Sequence, residues 1–124
     1  MPAVVLDLCP RERIWLDPAR IGALYAQFGG AEVQALLDRA MIELANVRHD
    51  LTRQYAGREL EGFARNLRRM RRIADHLGLT TLARVAEDVG ACLDRGDATA
   101  LAATWARLNR SAAQAIAGGW DTAG

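Results

Sequence analysis

Apolar residues in this chain recur every three or four positions over most of its length, which is the spacing of one face of an α-helix. Glycines divide the pattern into segments. These segments predict five helices, over approximately 18–28, 31–55, 59–77, 80–95 and 98–117. The alternating pattern of a half-buried strand is nearly absent. The predicted fold class is therefore all-α.

Polar residues mark the predicted helix starts. Asp17 is placed to accept hydrogen bonds at the start of the first helix, and Pro18 suits the first helical position because it lacks an N–H. Thr80 or Thr81 is predicted to cap the fourth helix, and Asp97 the fifth.

Short connections between long helices predict antiparallel neighbours, and so an up-down bundle of four helices with the short first helix as a lid. We expect an N-terminal arm over residues 1–15, the bundle over 16–119 and a C-terminal tail over 120–124. The predicted apolar sides consist of Ile21, Leu24, Tyr25 and Phe28 on the first helix, Leu60, Phe63, Leu67, Met70, Ile73, Ala74 and Leu77 on the third, and Leu101, Trp105, Leu108, Ala112 and Ile116 on the fifth.

Composition narrows the function classes. A chain of 124 residues suits one domain, and a net charge of +1 gives no global attraction to nucleic acid or to a membrane surface. Cys9 and Cys92 match no metal or redox spacing, so neither a metal nor another cofactor is predicted. Without a signal-peptide pattern or an apolar run long enough to span a membrane, a cytoplasmic protein is expected.

Three short motifs stand in a particular order: Leu-Asp-Pro at 16–18, Leu-Gly-Leu-Thr-Thr at 77–81 and Leu-Asp-Arg-Gly-Asp at 93–97. Over about residues 14–117 this arrangement resembles the histidine phosphotransfer (HPt) domain of bacterial phosphorelays. The resemblance implies a helical bundle that binds a response-regulator receiver domain or a histidine kinase. It also implies a phosphoacceptor histidine ten residues before Gly78, where this chain has Arg68.

The departures from the family lie in its active motif. Arg68 cannot attack phosphorus, because a guanidinium stays protonated and has no free lone pair. Arg71 stands where the family has lysine, and Arg72 where it has glycine. We therefore expect a non-catalytic adaptor in two-component signalling rather than an enzyme.

Arginines are concentrated on the third predicted helix. Arg65, Arg68, Arg69 and Arg72 follow the i, i+3, i+4, i+7 spacing of one helix face, and Arg71 flanks them. We predict that this face binds the partner, because arginine pairs with carboxylates and phosphates through two hydrogen bonds. The absence of interleaved exposed aromatics argues against nucleic acid.

Two other interpretations stay open. A relocated histidine, His49 or His76, could accept a phosphoryl group; His49 is predicted opposite Arg65, and His76 follows Arg68 by about two turns. Alternatively, the bundle could serve only for self-association, for example as a homodimer.

Overall fold

The computed structural model describes residues 3–7, 13–16, 18–117 and 120–123. It contains five helices, which confirms the predicted helical character of the chain. The helices are α1 Pro18–Phe28, α2 Gly30–Ala56, α3 Leu60–Leu77, α4 Thr80–Arg95 and α5 Ala98–Ile116. The strands are β1 Ala3–Asp7, β2 Arg13–Leu16 and β3 Trp120–Ala123. Among these described elements, no helix combines the length and the apolar composition needed to cross a membrane.

The four longer helices surround one hydrophobic core. Helix α2 packs on α3, α3 on α4, and α4 on α5, while α5 also packs on α2. The shorter α1 lies against α2 and α3. Each of the helices α2 to α5 therefore packs on two of the other three, and α2 and α3 also contact α1.

Three aromatic rings join α2, α3 and α5 inside this core. The Phe63 ring lies 5.6 Å from Tyr55 and 5.4 Å from Trp105 between centroids, and Tyr55 lies 5.8 Å from Trp105. Phe63 and Met70 are fully buried, and Trp105 is buried. The predicted core positions of Met70 and Trp105 are confirmed.

Several predicted details are wrong. Leu60 is 42% exposed instead of inward, because it is the first residue of α3 and lies beyond the end of the core. Tyr25 and Phe28 are also exposed, since α1 packs on the other helices along only part of its surface. Residue Leu79, whose side chain has no capping group, precedes α4, so neither threonine caps that helix.

Two other predicted helix starts are those of α5 and α1. Asp97 caps α5 as expected, since its side chain accepts a 3.0 Å hydrogen bond from the Ala100 N–H. Helix α1 begins at Pro18 as predicted, whereas its predicted cap, Asp17, lies outside the described residues.

The chain ends contain secondary structure that the sequence did not predict. Strands β2, β1 and β3 form an antiparallel sheet in that order, with Val5 opposite both Trp15 and Asp121. Strand β2 lies against α4. The sheet adds to the predicted helical fold at the two chain ends and leaves the five helices as they are. Strands β1 and β3 pair across almost the whole sequence, which local periodicity cannot reveal.

A left-handed glycine turns the chain between α3 and α4. Gly78 has a φ of 72°, a conformation that costs other residues energy because of their Cβ. The next N–H, that of Leu79, donates a 2.8 Å hydrogen bond to the Ala74 carbonyl, and the Leu79 side chain is buried. This corner fixes where α4 starts relative to α3.

Candidate functional site

All five predicted arginines lie on the solvent side of α3. Arg68 and its neighbours are exposed, while Phe63, Leu67 and Met70 are buried on the opposite side of the same helix. The alternation follows from the helical repeat of about 100° per residue. The five exposed arginines are Arg65, Arg68, Arg69, Arg71 and Arg72.

Two of these arginines are held by acids on neighbouring helices. The Arg69 Nε lies 3.4 Å from the Glu43 Oε1 on α2. The Arg71 Nη2 lies 2.9 Å from the Glu87 Oε1 on α4, and its Nε lies 3.7 Å from the Asp75 Oδ2. Because these side chains are about half exposed, each pair contributes only about 0.2–1 kcal/mol, yet it fixes the direction of the guanidinium.

The other three arginines have no such partner. Within the part of the chain that the structure describes, no acid forms an ion pair with Arg65, Arg68 or Arg72. Viewed down the helix axis, Arg65 and Arg72 stand only about 60° and about 40° from Arg68. They form a narrow row of positive charge that no described acid neutralises, between two arginines that are paired.

A groove of about 340 Å³ runs between α2 and α3. Arg69, Arg72 and His76 line its polar side. The His76 Nδ1 lies 2.9 Å from the carbonyl oxygen of Arg72, and since a carbonyl only accepts, Nδ1 carries the hydrogen. In the neutral ring the lone pair is therefore on Nε2, which that contact leaves free.

A second groove, of about 490 Å³, runs between α3 and α4. We call it the α3/α4 groove. Its α3 wall carries Arg68 and Arg71, and its α4 wall carries Glu87, Asp88 and Asp94. The remaining lining residues are small or apolar: Ala64, Leu67, Ala86, Gly90, Ala91 and Leu93. The groove thus has one basic wall and one acidic wall.

The two histidines differ in position. His49 is exposed on α2, two residues after the fully buried Val47, so it projects about 200° around the helix from the core side. It lines neither groove described above, whereas His76 shares a groove with Arg69 and Arg72. The geometry therefore brings His76, and not His49, to the arginines.

Sequence reasoning missed the acids that neutralise part of the arginine face. Glu43 comes directly before the core residue Leu44, and Glu87 comes directly after the buried Ala86, so each stands about 100° from a core position, at the edge of its helix's buried side. That position beside a core residue was the available signal, but only the packing decides which arginine each acid meets.

Among the described residues, no three histidine, cysteine, aspartate or glutamate side chains come together as a group that could hold a metal ion. Cys92 is buried, and its sulfur accepts a 3.3 Å hydrogen bond from Arg95. Cys9 lies outside the described residues.

No protein-family model, curated protein or solved structure matches this chain. The resemblance to HPt domains therefore depends on the residues and motifs alone.

Proposed function

We propose that this protein is a non-catalytic, HPt-like adaptor of two-component signalling that binds the acidic phosphorylation pocket of a receiver domain, or a histidine kinase, through α3. The observation that carries the proposal is the row of Arg65, Arg68 and Arg72, which is exposed and has no ion-pair partner among the described residues. A cytoplasmic location, where receivers and kinase domains work, is part of the same proposal.

An up-down four-helix bundle is the proposed scaffold. Between α2 and α3, Gln54 bonds to Asn66 and Glu43 pairs with Arg69, so the numbering falls along α2 as it rises along α3. Between α2 and α5, Arg48 donates to Asn109 while Tyr55 packs on Trp105. Both sets of contacts support helices that run in opposite directions.

Binding in this proposal is electrostatic and leaves the phosphoryl group in place. A planar guanidinium can donate two parallel hydrogen bonds to a carboxylate or to an aspartyl phosphate. Arg68 stands at the centre of the free row, flanked by Arg71, which Glu87 fixes. Since a guanidinium is no nucleophile, the partner keeps its phosphoryl group while it is bound.

The test has two parts. A calorimetric titration measures binding of the protein to unphosphorylated and to phosphorylated receiver domains, and a separate incubation with labelled phosphorylated receiver follows transfer of the phosphoryl group. We expect saturable binding without transfer, and Arg68→Glu should weaken it by roughly 10-fold or more because it places like charges together. Arg110→Glu, a reversal of an exposed arginine on α5, is the matched control and should bind normally. Unchanged binding by Arg68→Glu would refute the proposed face.

A second candidate function is phosphoryl transfer through His76. It is favoured by the hydrogen bond of Nδ1 to Arg72, which leaves Nε2 as the nucleophilic nitrogen beside Arg69 and Arg72. In that reaction the P–O bond to the receiver aspartate breaks and a P–N bond to Nε2 forms. A phosphoryl label that is acid-labile and base-stable, is lost in His76→Ala and is retained in His49→Ala would establish this function and exclude the non-catalytic adaptor. If the wild-type protein took up no label, phosphoryl transfer through His76 would be excluded.

A further inference from the structure

We propose that the α3/α4 groove is the interface of a homodimer, in which the basic wall of each copy meets the acidic wall of the other. This inference does not rest on the proposed function, but it uses Arg68 as well, so a second copy and a receiver domain would compete for that arginine.

The first support is a set of opposite charges that share the groove without pairing. Arg71 and Glu87 already form a 2.9 Å ion pair across it. Arg68, Asp88 and Asp94 line the same groove, yet no ion pair joins any of them to another described residue. The groove therefore offers both a free cation and free anions to whatever binds there.

The second support is the shape of the groove floor. Ala64, Ala86, Gly90 and Ala91 place no long side chain between the two walls. A Cβ added to Gly90 would meet no atom within 4 Å, so there is open space above that residue. Side chains from another molecule can therefore enter beside the Arg71–Glu87 pair, between Arg68 and the acids Asp88 and Asp94.

Charge complementarity selects a second copy as the occupant. An occupant that covers both walls meets charges of both signs: a uniformly acidic surface would face Asp88 and Asp94, and a uniformly basic one Arg68 and Arg71, whereas the receiver contact proposed above uses the α3 wall alone. The groove needs a partner with a basic ridge and an acidic ridge side by side, and this chain carries that pair itself.

A two-fold axis along the groove satisfies this requirement. Rotation by 180° about that axis exchanges the two walls, so the α3 wall of one copy faces the α4 wall of the other. Every contact then occurs twice, as in any isologous interface. The pairs formed are Arg68 with the acids Asp88 and Asp94 of the second copy, once on each side of the axis.

The experiment measures the mass of the purified protein by sedimentation equilibrium over a range of protein concentrations at low salt. Wild type should approach twice the mass of the chain. Arg68→Glu and Asp94→Arg should each weaken dimerisation by roughly 100-fold or more, because the two-fold axis repeats every new like-charge contact on both sides of the interface. Mixing the two variants should restore the dimer, since position 68 of one then attracts position 94 of the other.

Arg110→Glu is the matched control for a change of charge alone, and it should dimerise like wild type; circular dichroism checks that each variant stays helical.

Added salt should dissociate the wild-type dimer, since the Debye length falls from about 10 Å at 0.1 M to about 3 Å at 1 M. A wild type that stays monomeric at every concentration would overturn the inference. The inference would also be overturned if Arg68→Glu or Asp94→Arg dimerised like wild type, or if the mixture of these two variants stayed monomeric. Since no receiver domain is present, these outcomes are independent of the adaptor proposal.

Discussion

Phe63 offers the most direct test of how the helices pack. Its side chain is fully buried and contacts the rings of Tyr55 on α2 and Trp105 on α5. Phe63→Ala should lower the free energy of unfolding by about 3–5 kcal/mol, the usual result of removing a buried phenylalanine. A domain of this size has about 5–15 kcal/mol in total, so the variant should fold but with little margin.

Phe63→Leu removes the two ring contacts but leaves a large apolar side chain in the core, so it measures the contribution of the ring contacts apart from that of the filled volume. Two aromatic contacts at about 0.5–1.5 kcal/mol each give an expected loss of about 1–3 kcal/mol. Leu60→Ala is the matched control, because Leu60 lies three residues earlier on α3 and is 42% exposed. It should cost less than about 1 kcal/mol, as exposed substitutions usually do.

The assay is urea unfolding followed by circular dichroism, with the slope of the transition compared between variants. If Leu60→Ala cost as much as Phe63→Ala, Leu60 would belong to the core, as its spacing on the helix predicts, and its exposure at the start of α3 would be contradicted. A loss below about 1 kcal/mol for Phe63→Ala would equally contradict a core shared by α2, α3 and α5.

Three further changes test local features by the same assay. Gly96→Ala should cost about 1–2 kcal/mol, because the φ of 67° is left-handed while nothing lies within 4 Å of the added Cβ; an equally stable variant would contradict that conformation. Asp97→Ala should cost about 0.5–2 kcal/mol by removing the 3.0 Å hydrogen bond to Ala100, and Asp97→Ser should retain most of it; equal losses would argue against capping. Gly90→Ala should stabilise the protein by up to about 1 kcal/mol, since α4 gains a better helix former in open space, and any marked loss would show that the site is filled.

Much of the helical architecture could be predicted from the sequence. The start at Pro18, the cap at Asp97 and the turn at Gly78 each depend on the chemistry of one or two residues. The predicted cap at Thr80 or Thr81 is wrong, because the sequence shows only that a hydroxyl lies near the helix start and not whether it accepts a hydrogen bond from a free N–H.

The candidate site was only partly predictable. The i, i+3, i+4, i+7 spacing places Arg65, Arg68, Arg69 and Arg72 on the exposed side of α3 without reference to any other helix. Which of the arginines are neutralised depends on Glu43 and Glu87, which lie far away in sequence.

The sequence by itself determined the five helices and the solvent-facing side of α3, because helical periodicity and glycine conformation act over a few neighbouring residues. Only the tertiary structure decided that Arg69 and Arg71 are paired, that Arg68 lies in a groove opposite Asp88 and Asp94 without an ion pair to any described residue, and that the chain ends form a sheet. The physical reason is the same for all three: ion pairs, grooves and strand pairs join residues distant in sequence, and helix packing brings them together.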